Sequence, residues 1–377
     1  MQQFVQHILP QSIAQALCRT LIHSLWEGLL LAILTGLVIL LTRKSKAALR
    51  YQLLTAVLLL HTAVVSLTLV LELNNNSGKG LELGLNPNDG PDFIAVLVAR
   101  FNDLLKRTHE HAGVVTGIWL LLVGLQNARL FFGLYTQERL KRVRVKPAGR
   151  HWQEKTDRLC RALGIRQAVS LLESAIIKVP LVIGYLKSVV LVPVGLINSL
   201  EPEQVEAILL HELAHIHRKD YIVNILQTVL ETLFFFNPAV LWLSWLIRTE
   251  RENCCDDVVI AHTHNEVGYM RALVRFEEYR NNLPLHAIAL TGTRGNMLDR
   301  LERILAGKNR SLGKLELTVL GFILILSIVF IAASPRNTVR SLLKTPVPVV
   351  SGSNSNSLEA KKKAEAAERT RHRQAGP

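Results

Sequence analysis

Residues 211–220 read HELAHIHRKD. On a helix, positions i and i+4 share one face, so His211 and His215 can turn both imidazoles toward one ion. Glu212 then lies beside them, placed to handle a water proton. A chain of this length and composition is expected to hold the pattern only about 0.03 times by chance. A catalytic Zn2+ takes three protein ligands and keeps a fourth position for water, so one donor must come from elsewhere. The stretch RTERENCCDD, residues 248–257, offers Glu252 and Asp256 four apart on a second helix. Glu252 is assigned as the third ligand, and Asp256 as an acceptor behind it that orients a ligand imidazole. Glu250 competes for the ligand role, but it lies about 200° around a helix from Glu252, and only Glu252 has an acid one turn later. Replacing Glu250 is therefore expected to be nearly silent. Cys254 and Cys255 are too close in sequence to place both sulfurs on one ion with the histidines, and read as small buried residues. His262, His264 and Tyr269 follow soon after and are candidates for stabilising an oxyanion, with ordinary surface polarity as the plainer reading of all three.

These side chains need elements to position them. Ser199 is a candidate N-cap for the histidine helix, with Pro202, Glu201 and Glu203 in its first turn and Val205, Ile208 and Leu209 as its buried stripe. Between the two motifs runs YIVNILQTVLETLFFFNPAVLWLSWLI, apolar enough to resemble a membrane span. A single crossing would strand the histidines and Glu252 on opposite faces, so the segment must return. Asn237-Pro238 is the natural break, which predicts a two-helix hairpin that is buried, re-entrant or interfacial. Asn224, Gln227 and Glu231 fall at helical spacing within it, either facing the metal or substrate groove or hydrogen-bonded internally. Upstream, VPLVIGYLKSVVLVPVG reads as two β runs around a turn. It is either a structural hairpin or an edge to which an extended peptide adds.

The whole chain has 377 residues, 49% of them apolar, and a mean hydropathy of +0.25, which points to a multi-pass membrane protein. Four apolar stretches, 20–41, 53–71, 114–135 and 317–333, approach the ~20 residues a bilayer crossing needs. The first lacks the pattern of a removed signal peptide and is expected to remain as an anchor. His23 and Glu27 within it sit near a span end, where an interfacial role is the default. Arg43, Lys44, Lys46 and Arg50 follow that span without an acid, so this loop is expected inside the cell; acids outnumber bases in the loop 72–111, which is expected outside. ERLKRVRVKPAGR follows the third span and returns the chain to the cytoplasm. The net charge of +14 is absorbed by this topology and a basic tail, and no direct nucleic-acid binding is expected. The four cysteines form no C-x-x-C pair, which fits a reducing compartment for the segment carrying Cys160, Cys254 and Cys255.

HELAHIHRKDYIVNILQTVLETLFFFNPAV followed by RTERENCCDD, with HSLWEG in the first span and GYLKSVVLVP before the histidine helix, resembles the bacterial BlaR/MecR-type antirepressor metallopeptidases over about residues 20–335. The resemblance implies a mainly α membrane protein with four transmembrane helices and an inserted α+β gluzincin-type zinc peptidase domain. Zinc would be held by His211, His215 and Glu252, with Glu212 as general base and Asp256 behind the ligands. It implies a sensor-transducer in the bacterial cytoplasmic membrane, whose catalytic domain faces the cytoplasm and cleaves a transcriptional repressor, for which a winged-helix protein is the candidate, or the protein itself. The expected units are a membrane region 1–135, a cytoplasmic peptidase domain 136–315, a fourth span 316–333 and an external, disordered basic tail 334–377. The best-known members carry a large external penicillin-binding domain with a Ser-x-x-Lys nucleophile. The tail here, from Ser334 to Pro377, is only 44 residues against that large domain, so covalent β-lactam sensing is not carried over. A housekeeping protease of membrane proteins and a non-catalytic metal-binding scaffold are the competing readings.

Overall fold

The computed structural model describes residues 10–74, 111–184, 188–281 and 295–333. The tail 334–377, the turn 185–187 and nearly all of the loop 72–111 lie outside the described residues. Among the described residues, three helices are long and apolar enough to cross a membrane: α1 (Gln11–Leu41), α2 (Ala47–Asn74) and α3 (Ala112–Leu140). Because α1 begins at Gln11, His23 and Glu27 lie in its middle, not near its end. Glu27 is buried and accepts a 2.7 Å hydrogen bond from Thr68 of α2, while His23 and Arg19 approach Glu72. Ionisable groups inside an apolar helix are costly unless they meet a partner helix, and here they do.

After α3 the chain builds a four-stranded sheet from β1 (Val145–Pro147), β2 (Val169–Ser174), β3 (Leu181–Ile183) and β4 (Ser188–Pro193), with α4 (Arg150–Ala162) between β1 and β2. The strand order is β1-β2-β4-β3. β3 and β4 form the antiparallel pair expected on either side of the turn, Val182 opposite Val190. The parallel pairing of β2 with β4, Leu171 opposite Val190, has no local signal because its partners are linked by a crossover.

The short α5 (Leu196–Ser199) leads into α6 (Pro202–Arg218), which carries the two motif histidines. Its N-cap is Glu201, in a reciprocal box with Gln204, and not Ser199, whose hydroxyl closes α5 by donating to Gly195 O at 2.7 Å. Leu209, Leu210 and Leu213 of α6 pack on Leu171, Val190 and Val192 of the sheet, so the histidine face turns away from the strands. Lys219 takes a left-handed conformation, φ 56°, and the chain turns directly into α7 (Asp220–Leu233).

A break at 234–237 separates α7 from α8 (Pro238–Thr263). Asn237 caps α8 by accepting from the backbone N–H groups of Ala239 and Val240, and its amide donates to Ser24 O at 2.7 Å. Gly28 makes this approach possible: a Cβ there would sit 2.6 Å from Asn237 Nδ2. The hairpin returns as expected and packs on α1 and α2 through Leu54, Leu58, Leu230, Val240, Leu243 and Ile247. Its polar stripe is an internal seam. Gln227 donates to Ser244 O at 2.7 Å, Glu231 accepts from Ser244 and Arg248, and Asn224 accepts from Arg251. The chain continues through α9 (Glu266–Asn281), α10 (Gly295–Ala306) and the apolar α11 (Lys314–Ala333).

Glu250 does not face the histidines. It is 1% exposed and pairs at 3.1 Å with the equally buried Arg50 of α2, which also donates to Arg310 O. The expected silence of its loss concerned zinc and cleavage; stability is a separate matter, because Glu250→Ala leaves a buried guanidinium without its counter-charge. We expect Glu250→Ala to cost about 3–5 kcal/mol, and Arg50→Met/Glu250→Leu to recover most of it, measured as thermal unfolding in detergent. A Glu250→Ala protein as stable as the parent would refute the pair's importance. Gly28→Ala, which in an open helix stabilises by about 1 kcal/mol, is expected to destabilise by about 0.5–2 kcal/mol through the displaced Asn237 cap. A raised midpoint would show that Asn237 does not need the gap.

Candidate metal centre

α6 and α8 cross with their functional faces toward each other. His211 and His215, one turn apart on α6, stand nearly edge to face with ring centroids 5.1 Å apart. Glu252 of α8 reaches both, its Oε2 3.3 Å from His211 Nε2 and its Oε1 3.8 Å from His215 Nε2. One donor atom from each of the three lies within 4.8 Å of the others, a spacing that a single ion can draw together. Glu212 is half-buried beside them and makes no hydrogen bond or ion pair among the described residues.

Both imidazoles turn Nε2 toward Glu252 and anchor Nδ1 behind. His215 Nδ1 lies 2.9 Å from Asp220 Oδ2, at the start of α7, and 3.3 Å from Cys255 Sγ. His211 Nδ1 lies 3.1 Å from the Tyr269 hydroxyl and 3.4 Å from Asp256 Oδ1. Asp256 is fully buried and gripped by Arg300 of α10, Nε to Oδ2 at 2.9 Å. His215, Asp220 and Cys255 form a second group close enough to hold an ion. Burial pushes the Cys255 thiol well up, away from the thiolate form that binds metals.

The electrostatics fit a cation. Burial opposes charge on His211, yet Asp256 and Glu252 lift its pKa to about 9. Burial likewise opposes ionisation of Glu252, but His211 and His215 hold its carboxyl well below the usual range. The paired carboxylates favour positive charge at the donor set, which a divalent metal would also supply.

His211, Glu212, His215, Glu252 and Asp256 are thus brought to one place. His262 and His264 are exposed at the far end of α8, and Tyr269 is buried behind His211, so none of the three oxyanion candidates faces the Glu252 side. Asp220 was within the motif stretch, an acid just past the helix end, and its position was a usable signal. Arg300 was not legible, because 44 residues separate it from Asp256.

The family pattern described as BlaR1 peptidase M56 matches residues 102–304. The methicillin resistance mecR1 protein of Staphylococcus aureus is 29% identical over 131 residues, 33% of this chain and 22% of that protein. The regulatory protein BlaR1 of Bacillus licheniformis is 35% identical over 94 residues, 25% of this chain and 16% of its own length. The chain therefore matches less than a quarter of these relatives' length. A crystal structure of S. mikatae Ste24p aligns over 76% of each chain at 13% identity and a TM-score of 0.25, too distant to bear on the fold. The match over more than half of its residues places the chain: it belongs to the BlaR1 peptidase M56 family.

Proposed function

We propose that this membrane metallopeptidase is a zinc endopeptidase that acts as a regulatory sensor-transducer, cleaving a cytoplasmic repressor, itself, or both. The observation that carries the reading is the meeting of His211, His215 and Glu252 with an unengaged Glu212 alongside. A zinc ion bound there would polarise a water and the scissile carbonyl. Asp220 and the Asp256 side fix the two imidazoles so that Nε2 faces the ion. Glu212 takes the water's proton and delivers it to the leaving amine. β3 is the outer strand of the sheet among the described residues, and its backbone edge beside α6 could take up an extended peptide. A set of three candidate ligands argues against a purely structural metal, which takes four protein ligands.

We place four spans in a bacterial cytoplasmic membrane, with the peptidase inside. The 307–313 linker supports a fourth span. Asn309 donates to Ser45 O at 2.7 Å, setting the start of α11 beside the end of α1, and a Cβ on Gly36 would sit 2.6 Å from Leu320 of α11. α11 thereby runs back along α1. Arg50 is spent on Glu250, so the inside charge of the first loop rests on Arg43, Lys44 and Lys46.

Glu212→Gln should abolish proteolysis and keep about one zinc per chain, whereas His211→Ala, His215→Ala and Glu252→Ala should lose most of it, by metal analysis beside a cleavage assay. Zinc loss in Glu212→Gln as complete as in His211→Ala would reverse the roles. A reporter fused after Lys146 should read as cytoplasmic and one at Asn86 as external. The opposite pattern would remove cytoplasmic repressors from the substrates.

A further inference from the structure

The nitrogen that His211 turns away from Glu252 does not meet Asp256 most directly. The nearer atom is the hydroxyl of Tyr269, at 3.1 Å against 3.4 Å for the carboxylate. Tyr269 is 1% exposed, and its hydroxyl donates to Asp256 Oδ1 at 2.6 Å. Its proton is committed, so toward His211 the phenolic oxygen can only accept. Arg300 Nη2 approaches the same oxygen at 3.1 Å, and Arg300 also grips both Asp256 oxygens, Nε to Oδ2 at 2.9 Å and Nη2 to Oδ1 at 2.5 Å. The count closes. The tyrosine oxygen gives one proton and receives two, the carboxylate receives three, and the guanidinium serves both.

We propose that Tyr269 and Arg300 are positioning residues of the metal centre, with Tyr269 accepting the His211 Nδ1 proton and Arg300 holding Tyr269 and Asp256 in the geometry that leaves His211 Nε2 free to face the ion. The inference rests on reading His211 as a metal ligand and extends that reading to two residues outside both motifs. An imidazole ligand binds through an unprotonated nitrogen, and the bond made by its other nitrogen selects the tautomer and the ring angle. Asp256 cannot do this alone, because its Oδ1 is already shared between Tyr269 and Arg300. Arg300 is also not interchangeable with lysine, since a single ammonium cannot span both carboxylate oxygens and the phenol.

α10 offers an internal control. Arg303, one turn from Arg300, ties the same two helices together through Asp257 Oδ1 at 2.6 Å and Asn253 O at 3.3 Å, and touches neither Asp256 nor Tyr269. A merely structural role for Arg300, docking α10 on α8, should be matched by Arg303.

The test is the zinc affinity of the full chain in detergent, by competition with a chromogenic chelator, together with the melting temperature of each metal-free protein. Tyr269→Phe keeps the ring and removes the hydroxyl. It and Arg300→Gln should each weaken zinc binding by about 10- to 100-fold, the usual loss when a ligand's supporting partner is removed. Arg300→Lys should restore only part of the affinity. Arg303→Gln should lower the metal-free melting temperature while leaving zinc affinity within about 3-fold of the parent, well short of the loss expected at Arg300. Parent-like affinity in Tyr269→Phe, or an Arg303→Gln loss equal to that of Arg300→Gln, overturns the proposal while leaving the metal reading intact. A parent chain that binds no zinc, or a His211→Ala chain that binds it fully, overturns both.

Discussion

A carboxylate from one helix must arrive where two imidazoles of another already point, and in this chain the carboxylate's helix starts inside the apolar bundle. α8 runs unbroken from its Asn237 cap to Glu252 and beyond, about 22 Å at 1.5 Å per residue. At its start it is clasped to α1 by Asn237 and the gap at Gly28. At its working end Arg50 and Arg300 hold Glu250 and Asp256 on either side of Glu252. No residue between the two ends breaks the helix, so the position of Glu252 is set by contacts on both sides of it.

Those arginine contacts differ in kind from the packing around them. Buried ion pairs roughly cancel their own desolvation, and apolar replacements of the same size are often as stable. The two apolar clusters, one between α6 and the sheet and one between the hairpin and α1–α2, supply the burial that favours folding. The charged contacts fix rotation and register. Glu250 and Glu252 illustrate the division: two residues apart on one helix, one turns to Arg50 in the bundle and the other to the histidines.

What was legible in the sequence was local. His211 and His215 at helical spacing, Glu252 and Asp256 one turn apart, and the Asn237-Pro238 break each carry their geometry in a few residues, and the structure places them accordingly. The inability of one crossing to serve both motifs was enough to require a returning hairpin. What was not legible came from distant parts of the chain. Arg300, Arg50 and the parallel β2–β4 pair become neighbours only after the elements pack, and no periodicity announces them. Tyr269 read as surface polarity because its hydroxyl partners are 13 and 58 residues away. Ser199 looked like a cap by residue type, but the chain had already used its hydroxyl to close α5.

Two donor groups share His215: one with His211 and Glu252, the other with Asp220 and Cys255. X-ray absorption at the zinc edge of the purified full chain separates them by the ligand atoms alone. Nitrogen and oxygen scatterers at about 2.0–2.2 Å, with imidazole signatures for two histidines and no sulfur, are expected if His211, His215 and Glu252 hold the metal. A zinc–sulfur distance of about 2.3 Å would place the ion on Cys255 and contradict the centre described for this chain.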